Sequence, residues 1–250
     1  MSDKRNVFER LRESFNKIDG QFHVLEQQVP VELQMEYFKY SERLRKKAVK
    51  IDESDYYTFH DELCEKDISA ERKKYILAVL ATSNQVKAFR ILEEYARHPE
   101  PEVSNWAYMA LMESRISLES ELLDKKQIYI STGLGGKGEK LRFYVLLFAS
   151  ENKPFEEYQK QVIEREFAYA LPKDACEIER LTMNDVYVEL VFLVPVRVDI
   201  KTLLENVISE CNQYGSFLSP VFTVTNVKEL SSEEIASIIK KKYGGDKAAD

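Results

Sequence analysis

The residues best placed to do chemistry lie in "STGLGGKGEK", residues 131–140, where four of the chain's eight glycines fall within six positions. Gly133, Gly135 and Gly138 fit G-x-G-x-x-G. With Gly136 and Lys137 they outline a loop whose amides and ammonium suit an anionic ligand. A dinucleotide fingerprint requires strand, glycine loop and then helix, because the helix N-terminus holds the pyrophosphate. Here "EKLRFYVLLFA" follows, which has the composition of a strand. A P-loop fails as well, since Lys137 is followed by Gly138 where a magnesium-binding Ser or Thr is required. A kinase glycine loop does join two strands, but the H-R-D and D-F-G motifs are missing from the rest of the chain. The expectation is therefore a mobile hairpin loop between strands at 127–132 and 141–149. The alternative is an anion-binding loop formed by Gly133, Gly135, Gly136, Lys137 and Gly138.

Other chemistry-bearing residues are sparse. His60 and Cys64 stand at i, i+4 in "HDELC", a spacing that supplies two metal ligands where a structural zinc site needs four. They read as a surface histidine beside a half-buried thiol. His23 and His98 stand alone, and no hydroxyl or thiol sits in a G-x-S-x-G setting. No catalytic residue, metal site or cofactor is assigned, and enzyme activity is not expected. Cys64, Cys176 and Cys211 are too few and too far apart for a disulfide framework.

The elements that must position any site fall into two halves. Up to residue 123 the apolar residues recur at helical spacing, and Gly20 is the only glycine before Gly133. Tyr75, Ile76, Val79 and Leu80 form one stripe. Val86, Phe89, Leu92 and Tyr95 form a second, and Val103, Trp106, Ala107, Ala110 and Leu111 a third. Pro99 and Pro101 separate the last two helices. A helix at about 5–18 carries Phe8, Leu11, Phe15 and Ile18 on one side. Shifting residues 71–80 by 31 superposes Tyr75 on Trp106, Val79 on Ala110 and Leu80 on Leu111, which is a solenoid signal. On these residues the stretch 69–113 resembles the HEAT-repeat family: "KAFRILEEYARHPEPEVSNWAYMALMES" is similar to one short unit, and 69–82 to the inner helix of the unit before it. The resemblance implies a curved helical stack that binds macromolecules, and no catalysis.

From about 127 the period changes. "QIYIST" alternates and "LRFYVLLFA" is β-rich. After them come a helix behind Pro154, the strands "CEIERLTM" and "DVYVELVFLV" joined at Asn184-Asp185, a helix ending near Gly215, the strand "PVFTVT" and a helix "SSEEIASIIKKKYG". This β-α-β-β-α-β order is that of a ferredoxin-like sandwich. The expected class is α+β: a HEAT-like helical domain over 1–123, a ferredoxin-like domain over 127–243 with an extra N-terminal strand and a C-terminal helix, and a flexible tail at 244–250. The central strands are apolar on both faces. Leu146, Phe148, Val191 and Leu193 therefore need a cover on the second face. The candidates are the helical half, the C-terminal helix at 232–243, which could cover part of the surface, and a second copy of the chain, and self-association or docking of the helical half is favoured over an open face.

Charge and composition bound the partners. The net charge is −7, which offers no global field for nucleic acid. Only the first fifty residues are basic, with eleven Lys and Arg against eight Asp and Glu, and "RLRKKAVK" at 43–50 is the densest patch. It reads as a solvated helix face, so nucleic acid is disfavoured as a partner. No apolar run is long enough for a membrane span, and the charged N-terminus lacks a secretory h-region, so the expectation is a cytoplasmic protein. The functional expectation is a non-enzymatic interaction or scaffold protein with a protein partner or a second copy of itself. The alternatives are a small-ligand or anion-binding regulatory module built on the glycine loop, and an enzyme of unrecognised type.

Overall fold

The computed structural model describes residues 22–123 and 128–243. The expected helix at 5–18 and the tail at 244–250 lie outside the described residues. The chain is mixed α/β and divides into two compact units, with the division between Ser131 and Thr132.

The first unit begins with β1 (Phe22–Val24) and continues through the helices α1 (Val31–Lys47), α2 (Glu53–Cys64), α3 (Ala70–Thr82), α4 (Val86–Tyr95) and α5 (Ser104–Leu123). Local sequence explains their ends. Pro30 precedes α1, with Glu32 in its first turn and Arg45, Lys46 and Lys47 in its last, each on the side the helix dipole favours. Ala48 closes the helix in the left-handed region, at φ 47°. The Asp55 carboxylate accepts from the Asp52 amide at 2.7 Å at the start of α2, so that helix is capped from Asp52. Ser69 caps α3 by accepting from the Arg72 amide. The core gathers Ile76, Leu80, Leu92, Trp106 and Ala110, on which the helical period was read, together with Tyr37 and Leu77. Two polar contacts fix the stack. Lys73 is fully buried on α3 and its Nζ lies 2.5 Å from Glu100 in the proline turn before α5. Trp106 donates its indole N–H to the Lys74 carbonyl at 3.0 Å.

The unit ends with β2 (Ile128–Ile130), which runs parallel to β1 with Phe22 opposite Ile128 and Val24 opposite Ile130. This corrects the expected hairpin between 127–132 and 141–149. The strand at 128–130 belongs with the helices, and its partner lies about a hundred residues upstream, beyond the reach of any local pattern.

The second unit carries β3 (Gly136–Lys137), β4 (Lys140–Phe148), α6 (Glu157–Ala170), β5 (Glu177–Met183), β6 (Tyr187–Pro195), α7 (Ile200–Asn212), β7 (Thr223–Thr225) and α8 (Ser232–Tyr243). The sheet is antiparallel in the order β3-β4-β6-β5, and β7 also pairs with β4. Register places Tyr144 opposite Val191, Leu146 opposite Glu189 and Phe148 opposite Tyr187, so these share one face. Phe143, Val145, Leu147, Leu190 and Phe192 share the other. Both faces are buried, as the unbroken apolar strands require. Among the described residues no helix is long and apolar enough to cross a membrane.

Candidate functional site

The glycine loop is built as a packing device. Leu134, Gly135 and Gly136 are buried, and only Lys137, Gly138 and Glu139 reach solvent. The Leu134 amide donates to Asn226 O at 3.0 Å and the Gly135 amide to Thr132 O at 3.2 Å, so two amides that a phosphate would need are already engaged. A Cβ on Gly133 would lie 1.8 Å from the Val227 carbonyl oxygen. The glycine is there to let two backbones meet. Gly138 is needed for conformation instead, at φ +58° with open space around it. Lys137 stands 3.9 Å from Glu177. The tight turn at 138–139 joins β3 to β4, and the stretch before it seats Leu134 against the sheet.

That seat is on the second sheet face. Leu134, Tyr144, Leu146, Phe148, Val191 and Ile235 form one buried cluster, with Ile238, Ile239 and Tyr243 packed against it. Leu193 is buried on the same face. The cover for Leu146, Phe148 and Val191 is thus α8 of the same chain, the C-terminal helix among the three candidates, rather than a second copy or the helical half. Ser231 accepts from the Glu234 amide and Glu234 accepts from the Ser231 amide, which fixes where the covering helix starts. The polar groups on this face are paired. Tyr144 donates to Glu189 at 2.8 Å, and burial, then this carboxylate, hold its hydroxyl above the usual range.

Lys242, near the end of α8, has no acidic partner among the described residues. Its ammonium donates to Ser219 Oγ at 2.6 Å and to Val221 O at 3.1 Å, and sits 4.1 Å from the centre of the Phe148 ring. Burial lowers its pKa to about 8. The unfolded chain titrates this group near ~10.4, so it binds more protons than the folded chain between those values. The cost of holding the charge is fully present below pH 8 and is relieved as the pH rises toward ~10.4. Urea midpoints of the wild type should therefore rise relative to those of Lys242→Met between pH 8 and 10. Parallel curves for the two proteins would contradict this.

In the helical unit α1 presents three different sides. Gln34, Tyr37, Ser41 and Leu44 face inward. Glu113 of α5, only 9% exposed, meets this side. It accepts from Tyr37 at 2.5 Å, from Ser41 at 2.5 and 2.7 Å, and from the Arg45 guanidinium. Burial, then the carboxylate, raise the Tyr37 pKa well above its usual value. Three donors from α1 satisfy a carboxylate that would otherwise be costly to bury.

The outward side of α1 is basic in its C-terminal half, while Glu32 and Glu36 occupy the same side in its N-terminal half. Lys39, Arg43 and Lys47 follow at i, i+4 and i+8, Lys46 borders them, and Lys50 lies three residues past the helix end. All are exposed. Lys46 pairs with Glu42 at 2.8 Å, and that contact lowers the Glu42 pKa. Lys39, Arg43, Lys47 and Lys50 make no ion pair among the described residues. Elsewhere in this unit the cations are mostly matched: Arg72 to Glu62, Lys73 to Glu100, Lys74 to Glu71, Lys87 to Glu53 and Arg90 to Glu93. "RLRKKAVK" was visible in the sequence as a charge run. Its membership in a one-sided stripe starting at Lys39 needed the helix bounds.

Between these sides, α1 and α5 border an open groove of about 290 Å³. Leu25, Phe38, Met109, Met112 and Ile116 supply apolar wall, and Ser41, Glu42, Arg45, Glu113 and Ser117 supply polar edge. No group of three or more His, Cys, Asp and Glu side chains is placed to hold a metal ion among the described residues. Cys64 is exposed, not half-buried. His60 faces Asp61 at 3.3 Å and Glu94 at 3.7 Å. Cys176 and Cys211 are buried, and burial raises their thiols to about 11 and about 12, away from nucleophilic use.

No family model and no curated protein matches the chain. Among solved structures, one similar chain is a candidate transposase from Deinococcus radiodurans R1, at 12% identity and TM-score 0.35, covering 42% of this chain and 90% of that one. Another is a REP-associated tyrosine transposase bound to a REP hairpin, at 10% identity and TM-score 0.32, covering 41% of this chain and 68% of that one. These neighbours, one of them holding nucleic acid, stand against two expectations: the non-enzymatic interaction or scaffold protein, and nucleic acid as a disfavoured partner. At such low similarity neither neighbour's fold or activity transfers to this chain.

Proposed function

We propose that this protein binds nucleic acid through the outward side of α1. The observation that carries the reading is the run of Lys39, Arg43 and Lys47 on one side of a helix, with Lys50 three residues past its end, all exposed and without an ion-pair partner among the described residues. Eight residues of helix separate Lys39 from Lys47, a length of about 12 Å at 1.5 Å per residue. Each strand of a duplex carries one phosphate per ~3.4 Å of helix axis, so the stripe is long enough to meet several of them. Phosphate contacts of this kind position a strand without reading its sequence. The net charge of −7 does not oppose this, because screening beyond about 8–10 Å leaves the local field in control at physiological salt. On this reading the helical unit is a short HEAT-like stack displaying α1. The second unit is a ferredoxin-like sandwich, supported by β7-β4-β6-β5 adjacency and by α6 and α7 falling where that order of elements requires them.

Fluorescence anisotropy with a labelled 20-nucleotide strand and its duplex tests the proposal. The wild type is expected to bind both at low salt. The variant carrying Lys39→Gln, Arg43→Gln, Lys47→Gln and Lys50→Gln is expected to lose about tenfold or more. Equal affinity of the two proteins would remove α1 as the contact.

A further inference from the structure

We infer that the groove between α1 and α5 takes an unstacked base from a single strand whose phosphates lie along the α1 stripe. The inference rests on the proposed nucleic-acid binding and adds a pocket for the base. At about 290 Å³ the groove falls just below the ~300–1,000 Å³ typical of ligand sites, room for one planar ring system rather than a packed protein element. Its apolar wall is of the kind that receives flat π-systems. Phe38 is 49% exposed, and Met109 and Met112 bring polarizable thioethers.

The polar edge matches the rest of a nucleotide. The Arg45 side chain is 60% exposed although it donates to Glu113, so a fork of five N–H donors retains capacity for a phosphate oxygen. Glu113 fixes that fork in place, being itself held by Tyr37 and Ser41. Glu42, on the groove edge, is kept ionised by Lys46 and therefore only accepts hydrogen bonds. A carboxylate in that role pairs with the exocyclic amine of cytosine, which thymine lacks. Glu42 and Arg45 border the groove, while Lys46 and Arg43 stand further round the same helix, so the pocket is continuous with the stripe.

The test compares labelled oligo(dC), oligo(dT) and an abasic strand of equal phosphate number, using wild type, Phe38→Ala and Glu42→Gln. Wild type is expected to bind oligo(dC) about tenfold more tightly than the abasic strand. Phe38→Ala should remove that difference and leave the salt dependence unchanged. Phe38 is half exposed, and the Trp106 emission of the variant shows whether the unit has stayed folded. Glu42→Gln should remove the preference for dC over dT and keep the gain over the abasic strand. Equal binding of all three strands by wild type, with its salt dependence intact, would overturn the base pocket and leave the phosphate stripe standing. Failure to bind any strand would overturn both. A concentration-dependent mass by light scattering, abolished in Phe38→Ala, would assign the groove to a second copy of the chain and also overturn the base pocket.

Discussion

Gly133→Ala is expected to destabilise the second unit by about 3–5 kcal/mol, far more than the same change at Gly138. The added Cβ would fall 1.8 Å from the Val227 carbonyl oxygen. A backbone oxygen cannot swing aside as a flexible side chain does. The segments must part, and overpacking of this kind costs roughly 1–3 kcal/mol. Leu134, the next residue, then leaves the cluster it forms with Tyr144, Leu146 and Ile235, forfeiting a further ~1.5–3 kcal/mol of apolar burial. At Gly138 nothing lies within 4 Å of an added Cβ, and the only cost is the left-handed backbone, about 1–2 kcal/mol. Hydrogen exchange of the β4 and β6 amides measures the difference. Equal acceleration in the two variants would mean that Gly133 serves turn conformation rather than close approach.

Glu113→Ala is expected to cost the helical unit about 3–5 kcal/mol. The variant leaves the Tyr37 hydroxyl, in a residue with no exposure at all, and the Ser41 hydroxyl without their acceptor. An unpaired buried polar group costs ~1–3 kcal/mol. Tyr37→Phe should cost only about 1 kcal/mol, because Glu113 keeps Ser41 and Arg45 as donors. The chain has a single tryptophan, Trp106, whose ring meets Tyr37 edge-on at 5.2 Å. Its emission during urea unfolding therefore reports this unit from beside the site. If Tyr37→Phe and Glu113→Ala shifted the midpoint equally, Glu113 would not be the hub of the network.

What was legible in the sequence follows from distance along the chain. Helices and strands declare themselves through neighbours three, four or two residues away, and α3, α4, β4 and β6 fall close to where the periods put them. The capacity of the apolar strands to be buried on both faces was legible too. Contacts between distant segments were not. Gly133 meets Val227, Glu113 meets Tyr37, and β2 pairs with β1, each across seventy or more residues. A glycine cluster therefore read as a loop that moves, although half of it is buried to seat Leu134. The candidate site was half legible. "RLRKKAVK" announced charge, but a solvated face and a phosphate contact share the same letters. They differ in whether carboxylates stand opposite, which only the fold reveals.

The salt dependence of binding tests the phosphate stripe most directly. Four cations that displace counterions from a duplex give a slope of log Kobs against log salt of about −3.6, and of about −2.8 on a single strand. Anisotropy titrations between 50 and 200 mM salt, ~50–200 mM being the range in which such contacts are lost, measure that slope. The wild type is expected to show it, and the variant with Lys39, Arg43, Lys47 and Lys50 changed to Gln should have a slope near zero. A wild-type slope that the four substitutions leave unchanged would place the phosphate contact elsewhere and contradict the assignment to α1.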